Sequence, residues 1–132
     1  MTDYGKSILE KYPGVRISKK ATIDKYGLSE DEWLEMLDRQ GGVCAICKKL
    51  PTTGRLVVDH MHVSKWKHMV PTCRKVWVRG LLCHFDNHYT LARSVTVVKA
   101  KRLVEYLENF DKKIQEYEAK SMPASVLEGK KE

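Results

Sequence analysis

No stretch of this sequence is apolar for the length that a membrane crossing needs. Its start, Met1 to Tyr12, lacks a basic n-region followed by an apolar h-region, so no secretory signal is expected there. These two absences disfavour membrane-embedded and exported proteins and point to a cytoplasmic chain. Acidic side chains are also missing from one long segment: between His60 and Phe85 there is none. Nor does a thioredoxin-like βαβ pattern surround the pair Cys44-Ala-Ile-Cys47, which argues against a redox role. In a cytoplasmic chain the four cysteines are read as metal ligands or buried thiols rather than disulfides.

What is present narrows the field further. A chain of 132 residues suits one compact domain with a helical extension, and 42% hydrophobic content supports a modest core. Domains of this size often gain stability from a metal or a partner chain. The 24 basic and 17 acidic side chains leave a net charge of +7, which suits a polyanionic partner. With no membrane signal in the chain, nucleic acid is favoured over an anionic bilayer.

Along the chain, residues 1–40 read as a helical, basic segment. Ser18 to Tyr26 form a short helix ending at Gly27, and a second helix is better marked. Ser29 and Glu32 make a capping box, Leu28 can staple onto Trp33, and Gly41-Gly42 ends the helix. The two helices invite a helix-turn-helix reading, although two scaffold helices are the plainer one. Residues 41–93 then form a small ββα unit. Arg55 to Asp59 and the alternating Lys75 to Arg79 are its strands, and His84 to Arg93 is its helix. Thr96 is a plausible N-cap for a long helix within residues 94–120. Ala100, Leu103, Leu107, Phe110, Ile114 and Tyr117 recur there at steps of three and four. That stripe could be the seam of a homodimer or a face packed on the domain, and its short length does not establish a dimer. Residues 121–132, poor in large apolar side chains, read as a disordered tail.

Two constellations carry chemistry. Cys44 and Cys47 can present two thiolates to one tetrahedral zinc, and Cys83-His-Phe-Asp86 repeats the spacing at a helix start. Cys44, Cys47, Cys83 and Asp86 thus make a structural zinc set, with His84, His88 or Cys73 as alternatives to Asp86, or with no metal at all. The second constellation is Asp59-His60 with Asn87. Asp59 is a hard oxygen ligand suited to Mg²⁺ or Mn²⁺, the Asn87 amide oxygen could complete the protein ligands, and His60 is a candidate general base. In a regular strand Asp59 and His60 face opposite ways, so a shared site requires the strand to end or distort there. No second carboxylate cluster is visible, so one catalytic ion should suffice. The acid-free segment adds a DNA-contacting surface from His62, Lys65, Lys67, Arg74, Lys75 and Arg79, with Trp66 and Trp77 interleaved. Trp77, on its strand, is read as core.

Taken together, Tyr26-Gly-Leu-Ser-Glu30, Gly41-Gly-Val-Cys-Ala-Ile-Cys47, Val58-Asp-His60 and Val78-Arg-Gly-Leu-Leu-Cys83 with Asn87 resemble the phage recombination endonuclease VII family. This is a branch of the HNH, ββα-metal (His-Me finger) nucleases. The resemblance spans about residues 26–93. It implies an α+β fold, with a zinc-stapled ββα-metal core between N-terminal helices and a long C-terminal helix. It also implies a metal-dependent endonuclease that nicks double-stranded DNA or resolves branched DNA. By position, Asp59 and Asn87 would hold the catalytic ion, His60 would be the base, and Cys44, Cys47 and Cys83 would bind zinc. The family usually has cysteine where this chain has Asp86, and commonly reads Asp-His-Asp-His where this chain has Met61. A phage-encoded enzyme of this kind would work in the host cytoplasm. The competing readings are a zinc-stapled DNA-binding module without catalysis, and a protein-interaction adaptor working through the last helix.

Overall fold

The computed structural model of the chain describes residues 1–91 and 95–120. It divides into two units, Met1–Arg93 and Ser94–Glu132. The fold is mixed helix and sheet, as the sequence leads one to expect.

The first unit begins with a helix that the sequence reading does not include, α1 (Asp3–Lys11). Thr2 caps it by accepting from the Gly5 N–H, and Thr2 also donates its hydroxyl to Asp31 at 2.5 Å. Helices α2 (Lys20–Lys25) and α3 (Glu30–Arg39) follow, and α3 packs against both α1 and α2. The capping box on α3 forms in full. The Ser29 hydroxyl accepts from the Glu32 N–H at 3.1 Å, and Glu32 accepts from the Ser29 N–H at 3.0 Å. Gly27, between α2 and α3, has φ of +70°, and a Cβ there would strike the Pro71 carbonyl. Only glycine combines that backbone with so close an approach.

The apolar stripe of α3, Trp33, Leu34 and Leu37, is fully buried against Ile8, Ile23, Leu56 and Leu81. Leu28 and Trp33, the expected staple, belong to the same core. The polar groups at its margin are satisfied from within. Trp33 donates its indole N–H to Ser18 at 3.1 Å. The Gln40 amide accepts from the Leu81 N–H at 2.9 Å and donates to the Leu81 and Val43 carbonyls at 2.8 and 2.9 Å. This side chain closes a strand edge that would otherwise be unpaired.

The sheet has two antiparallel strands, β1 (Val57–His60) and β2 (Val78–Leu82). Val57 pairs with Leu82, Val58 with Leu81 and Asp59 with Gly80, but His60 pairs with Val78. The register therefore slips across Arg79, which bulges out. Strand β1 starts two residues and ends one residue later than its sequence suggests, and β2 lies three residues later than its alternation suggests. Lys75–Trp77 is a 3₁₀ turn that continues the short helix α4 (Pro71–Arg74), and Lys75 forms an ion pair with Glu32 of α3. Leu81 and Leu82 are both buried, so β2 is covered on both faces and alternation does not mark it. Trp77 is only half-buried, and the loop from Met61 contains a second 3₁₀ turn at Trp66–His68. After β2 the chain enters a π-helical turn at Asp86–Thr90, where an α-helix from His84 is expected. The last part of that expected helix, residues 92–93, lies outside the described residues, as does the expected disordered tail at 121–132.

In the second unit, α5 (Val97–Ala119) is a single helix. Thr96 caps it, its hydroxyl accepting from the Lys99 N–H at 3.2 Å.

Candidate metal centre and active site

Two clusters are built on the β1–β2 hairpin. The first gathers Cys44, Cys47, Cys83 and Asp86, whose ligand atoms all lie within 4.8 Å of one another. The loop carrying the cysteine pair is fastened on both sides. Cys44 N–H donates to the Lys49 carbonyl at 3.0 Å, Lys48 N–H returns to the Cys44 carbonyl at 3.0 Å, and Ala45 N–H donates to Leu81 of β2 at 3.2 Å. Lys48 takes a left-handed conformation, with φ of 60°, to make this tight turn.

Cys83 directly follows β2, and the turn after it brings Asp86 back to it. The thiols of Cys44 and Cys83 each lie 3.2 Å from Asp86 Oδ2, and the sulfurs of Cys47 and Cys83 are 3.9 Å apart. Sulfurs bound to one tetrahedral zinc sit about 3.8 Å apart, given Zn–S bonds of roughly 2.3 Å. Thr90 donates to Asp86 Oδ1 at 2.7 Å and so orients the carboxylate. Burial pushes the Cys83 thiol up to about 12, while the Thr90 hydroxyl and the Cys44 thiol hold the Asp86 carboxyl well below its usual range. Crowded thiols around a buried carboxylate are a donor set that a dication relieves, with release of the thiol protons. The residues present therefore fit a structural zinc. Of the alternative ligands, Cys73 is exposed on α4, and His84 and His88 stack on each other with ring centres 5.4 Å apart.

The second cluster answers the strand problem. The register slip between Asp59 and His60 re-aims neighbouring side chains, as bulges beside functional sites often do. Asp59, His60 and Asn87 all line one cavity of about 330 Å³, together with Tyr26, His62, Arg79 and His88. The π-helical turn sets Asn87 in its wall. Leu91 N–H reaches the Asp86 carbonyl at 2.9 Å, and Asn87 N–H reaches that of Cys83 at 3.0 Å. The metal cluster and the cavity wall thus share one short segment, with Asp86 turned to the cysteines and Asn87 to the cavity.

Asp59 is 5% exposed. The bulged residue neutralises it: Arg79 Nε and Nη2 donate to its two carboxylate oxygens at 2.7 and 3.0 Å. His60 is held by rings. It stacks on Trp66 with centres 4.3 Å apart and planes 22° apart, and Tyr26 and His62 lie 5.3 and 4.7 Å away. Burial, and next the proximity of His62, lower its pKa below 6.5, with Asp59 opposing. The imidazole is therefore neutral near pH 7 and able to accept a proton.

The expected DNA-contacting residues divide into two groups. His62, Lys65 and Lys67 line a neighbouring cavity of about 500 Å³ with Trp66 and His68. Arg74 instead braces the loop. It donates to the carbonyls of Trp66, Lys67 and Lys25 at 3.3, 2.9 and 3.2 Å, and its guanidinium lies 4.6 Å from the centre of the Trp66 ring. Lys75 is paired with Glu32 and Arg79 with Asp59. Sequence reasoning assigned no role to Tyr26, which lines the cavity, and did not see Trp66 as the platform under His60. The signal for Tyr26 was its position before Gly27, whose left-handed turn directs the chain between α2 and α3.

The family model described as recombination endonuclease VII matches residues 19–109. The Gene 59 protein of Mycobacterium phage L5 is 37% identical over 86 residues, covering 64% of this chain and 46% of that protein. The chain thus spans about half the length of this curated relative. No solved structure matches it. Among the described residues no helix is long and apolar enough to cross a membrane.

Proposed function

This chain belongs to the recombination endonuclease VII family, and we propose that it is a metal-dependent DNA endonuclease of the HNH type. In this reading the β1–β2 hairpin and the turn after it are a ββα-metal core stapled by zinc. The observation that carries the proposal is the single cavity lined by Asp59, His60 and Asn87 beside a bulged strand.

Each residue has a role that its surroundings support. Asp59 and Asn87 would hold Mg²⁺ or Mn²⁺ through oxygen atoms, a donor set matched to hard cations. The bound ion would offset charge on the phosphate and on the departing oxygen. His60, neutral and locked against Trp66, takes a proton from the attacking water. Arg79 balances Asp59 and is within reach of a phosphate entering the same cavity. Cys44, Cys47, Cys83 and Asp86 bind a zinc whose part is to fix Asn87, one residue past Asp86. His62, Lys65 and Lys67 contact the DNA backbone, while Arg74 and Lys75 support the loop and helix that present them. A homodimer through α5 would let two such sites act on one branched substrate.

One observation favours a second reading. Arg79 donates to both carboxylate oxygens of Asp59, a pairing that would also suit a purely structural role for Asp59 in a non-catalytic DNA-binding module. Incubation of supercoiled plasmid with the zinc-loaded protein in Mg²⁺ or Mn²⁺, against divalent-free controls, separates the two. Nicking that depends on the ion supports the endonuclease. Salt-sensitive binding with intact plasmid under every ion would replace it with the binding module.

A further inference from the structure

The DNA-contacting side chains named so far lie on one side of the catalytic cavity. The 500 Å³ cavity that carries Lys65 and Lys67 meets the catalytic cavity at His60 and His62. A further cavity of about 520 Å³ meets it through other residues, Tyr26, Val58 and Asn87, and shares none with the Lys65–Lys67 cavity. The lining of this further cavity contains Arg16, Lys19 and Arg55 and no acidic residue.

Its two arginines are set side by side by the backbone. Arg16 and Arg55 form an isolated parallel bridge outside the hairpin, and Arg16 N–H donates to the Gly54 carbonyl at 2.7 Å. Gly54 permits this approach, with φ of +71° and a Cβ that would strike the Gly14 carbonyl. Like charges directly opposite each other on neighbouring strands repel. Three other cations of the first unit are answered by carboxylates: Lys11 by Asp38, Lys75 by Glu32 and Arg79 by Asp59. Among the described residues no carboxylate pairs with Arg16, Lys19 or Arg55. All three side chains are exposed. Two arginines paired through the backbone and lining a cavity that adjoins the catalytic one are a site for an anion that both can share.

We infer that Arg16, Lys19 and Arg55 form a second phosphate-binding arm, which grips the DNA strand on the Asn87 side of the cleavage site. The inference rests on the endonuclease reading and extends it. A strand whose reacting phosphate sits in the central cavity continues in both directions, with a charge every 3.4 Å or so of helix axis per strand. The three cavities share walls in the order Arg16–Arg55 arm, catalytic cavity, Lys65–Lys67 arm. The substrate is thus a strand held from both sides of the reacting bond rather than one approaching by its end.

The test is the salt dependence of binding, by fluorescence anisotropy of a fluorescein-labelled synthetic duplex in divalent-free buffer. The protein is the full chain loaded with zinc. Each lost phosphate contact flattens the slope of log K against log salt by about 0.9. Arg16→Gln/Arg55→Gln should flatten it by roughly two contacts, as Lys65→Gln/Lys67→Gln should, and Arg16→Lys/Arg55→Lys should restore it. Zinc content and melting temperature should stay at the wild-type value, because the bridge between these residues is made by backbone atoms. Lys19→Gln, at a helix N-cap position whose side chain makes no capping hydrogen bond, should remove about one contact by itself and guards against misfolding of the double variant. A wild-type slope in both Arg16→Gln/Arg55→Gln and Lys19→Gln, with a flattened slope in Lys65→Gln/Lys67→Gln, would overturn this arm and leave the endonuclease reading intact. Absence of DNA binding by the wild type would overturn both.

Discussion

Arg79→Met is the substitution whose consequences the site geometry specifies most fully. Asp59 is 7% exposed at its side chain, and Arg79 supplies both of its charged hydrogen bonds. Removing one partner of a fully buried pair leaves an uncompensated charge and costs about 3–5 kcal/mol. Arg79 itself is 43% exposed, so solvent already screens the pair, and a discounted loss of about 1–2 kcal/mol is appropriate. At roughly 4–8 °C per kcal/mol for a unit of this size, the melting temperature should fall by about 5–15 °C in zinc-loaded, Mg²⁺-free buffer. An ion held by Asp59 competes with the arginine for the same oxygens. Millimolar Mg²⁺ or Mn²⁺ should therefore raise the melting temperature of Arg79→Met by more than it raises that of the wild type. Differential scanning fluorimetry across an ion titration reads both effects. A variant that melts with the wild type and responds no differently to the ion would refute the claim that Arg79 and the cation share Asp59.

Cys83→Ser should lose bound zinc, read by elemental analysis, and with it the cooperative melt, because the site staples the Cys44 loop to the turn carrying Asn87. Asp86→Cys, by contrast, should keep a full complement of zinc. Gln40→Ala removes three hydrogen bonds to Leu81 and Val43 and should lower urea stability by about 2–3 kcal/mol with little effect on zinc content. Glu32 has its pKa lowered below 4.5, first by Lys75 and also by Ser29. Since the folded pKa lies below the unfolded one, this stability is complete above about pH 4.5 and is lost as pH falls through the folded value. Lys75→Gln should flatten that acid limb in urea midpoints measured against pH.

How much of this was legible beforehand depended on whether the signal was local. The capping box at Ser29 and Glu32, the Thr96 cap and the matched spacings of Cys44, Cys47 and Cys83, Asp86 are local patterns, and each appears as a local structure. Helix α1 was not legible, because its buried face is only Gly5 and Ile8 and its cap reaches to Asp31 on another helix. The strand at Lys75 to Arg79 was misplaced because alternation there competes with an ion pair to α3, and because Leu81 and Leu82 are covered on both faces. The bulge at Arg79 could be anticipated only as a requirement: Asp59 and His60 cannot share a site on a regular strand. That Arg79 is the extra residue, and that it then closes on Asp59, follows from pairing between strands far apart in sequence. The same holds for Tyr26 and Trp66, whose rings meet His60 only in the folded chain.

The central claim is that His60 acts as the base in a cavity with Asp59 and Asn87. It is tested most directly by His60→Ala on supercoiled plasmid with Mg²⁺ or Mn²⁺, with zinc content and DNA affinity measured on the same preparation. The account predicts ion-dependent cutting by the wild type and a loss of about 10²–10⁴-fold in the variant, with zinc and DNA binding retained. Cutting by His60→Ala at the wild-type rate would contradict it.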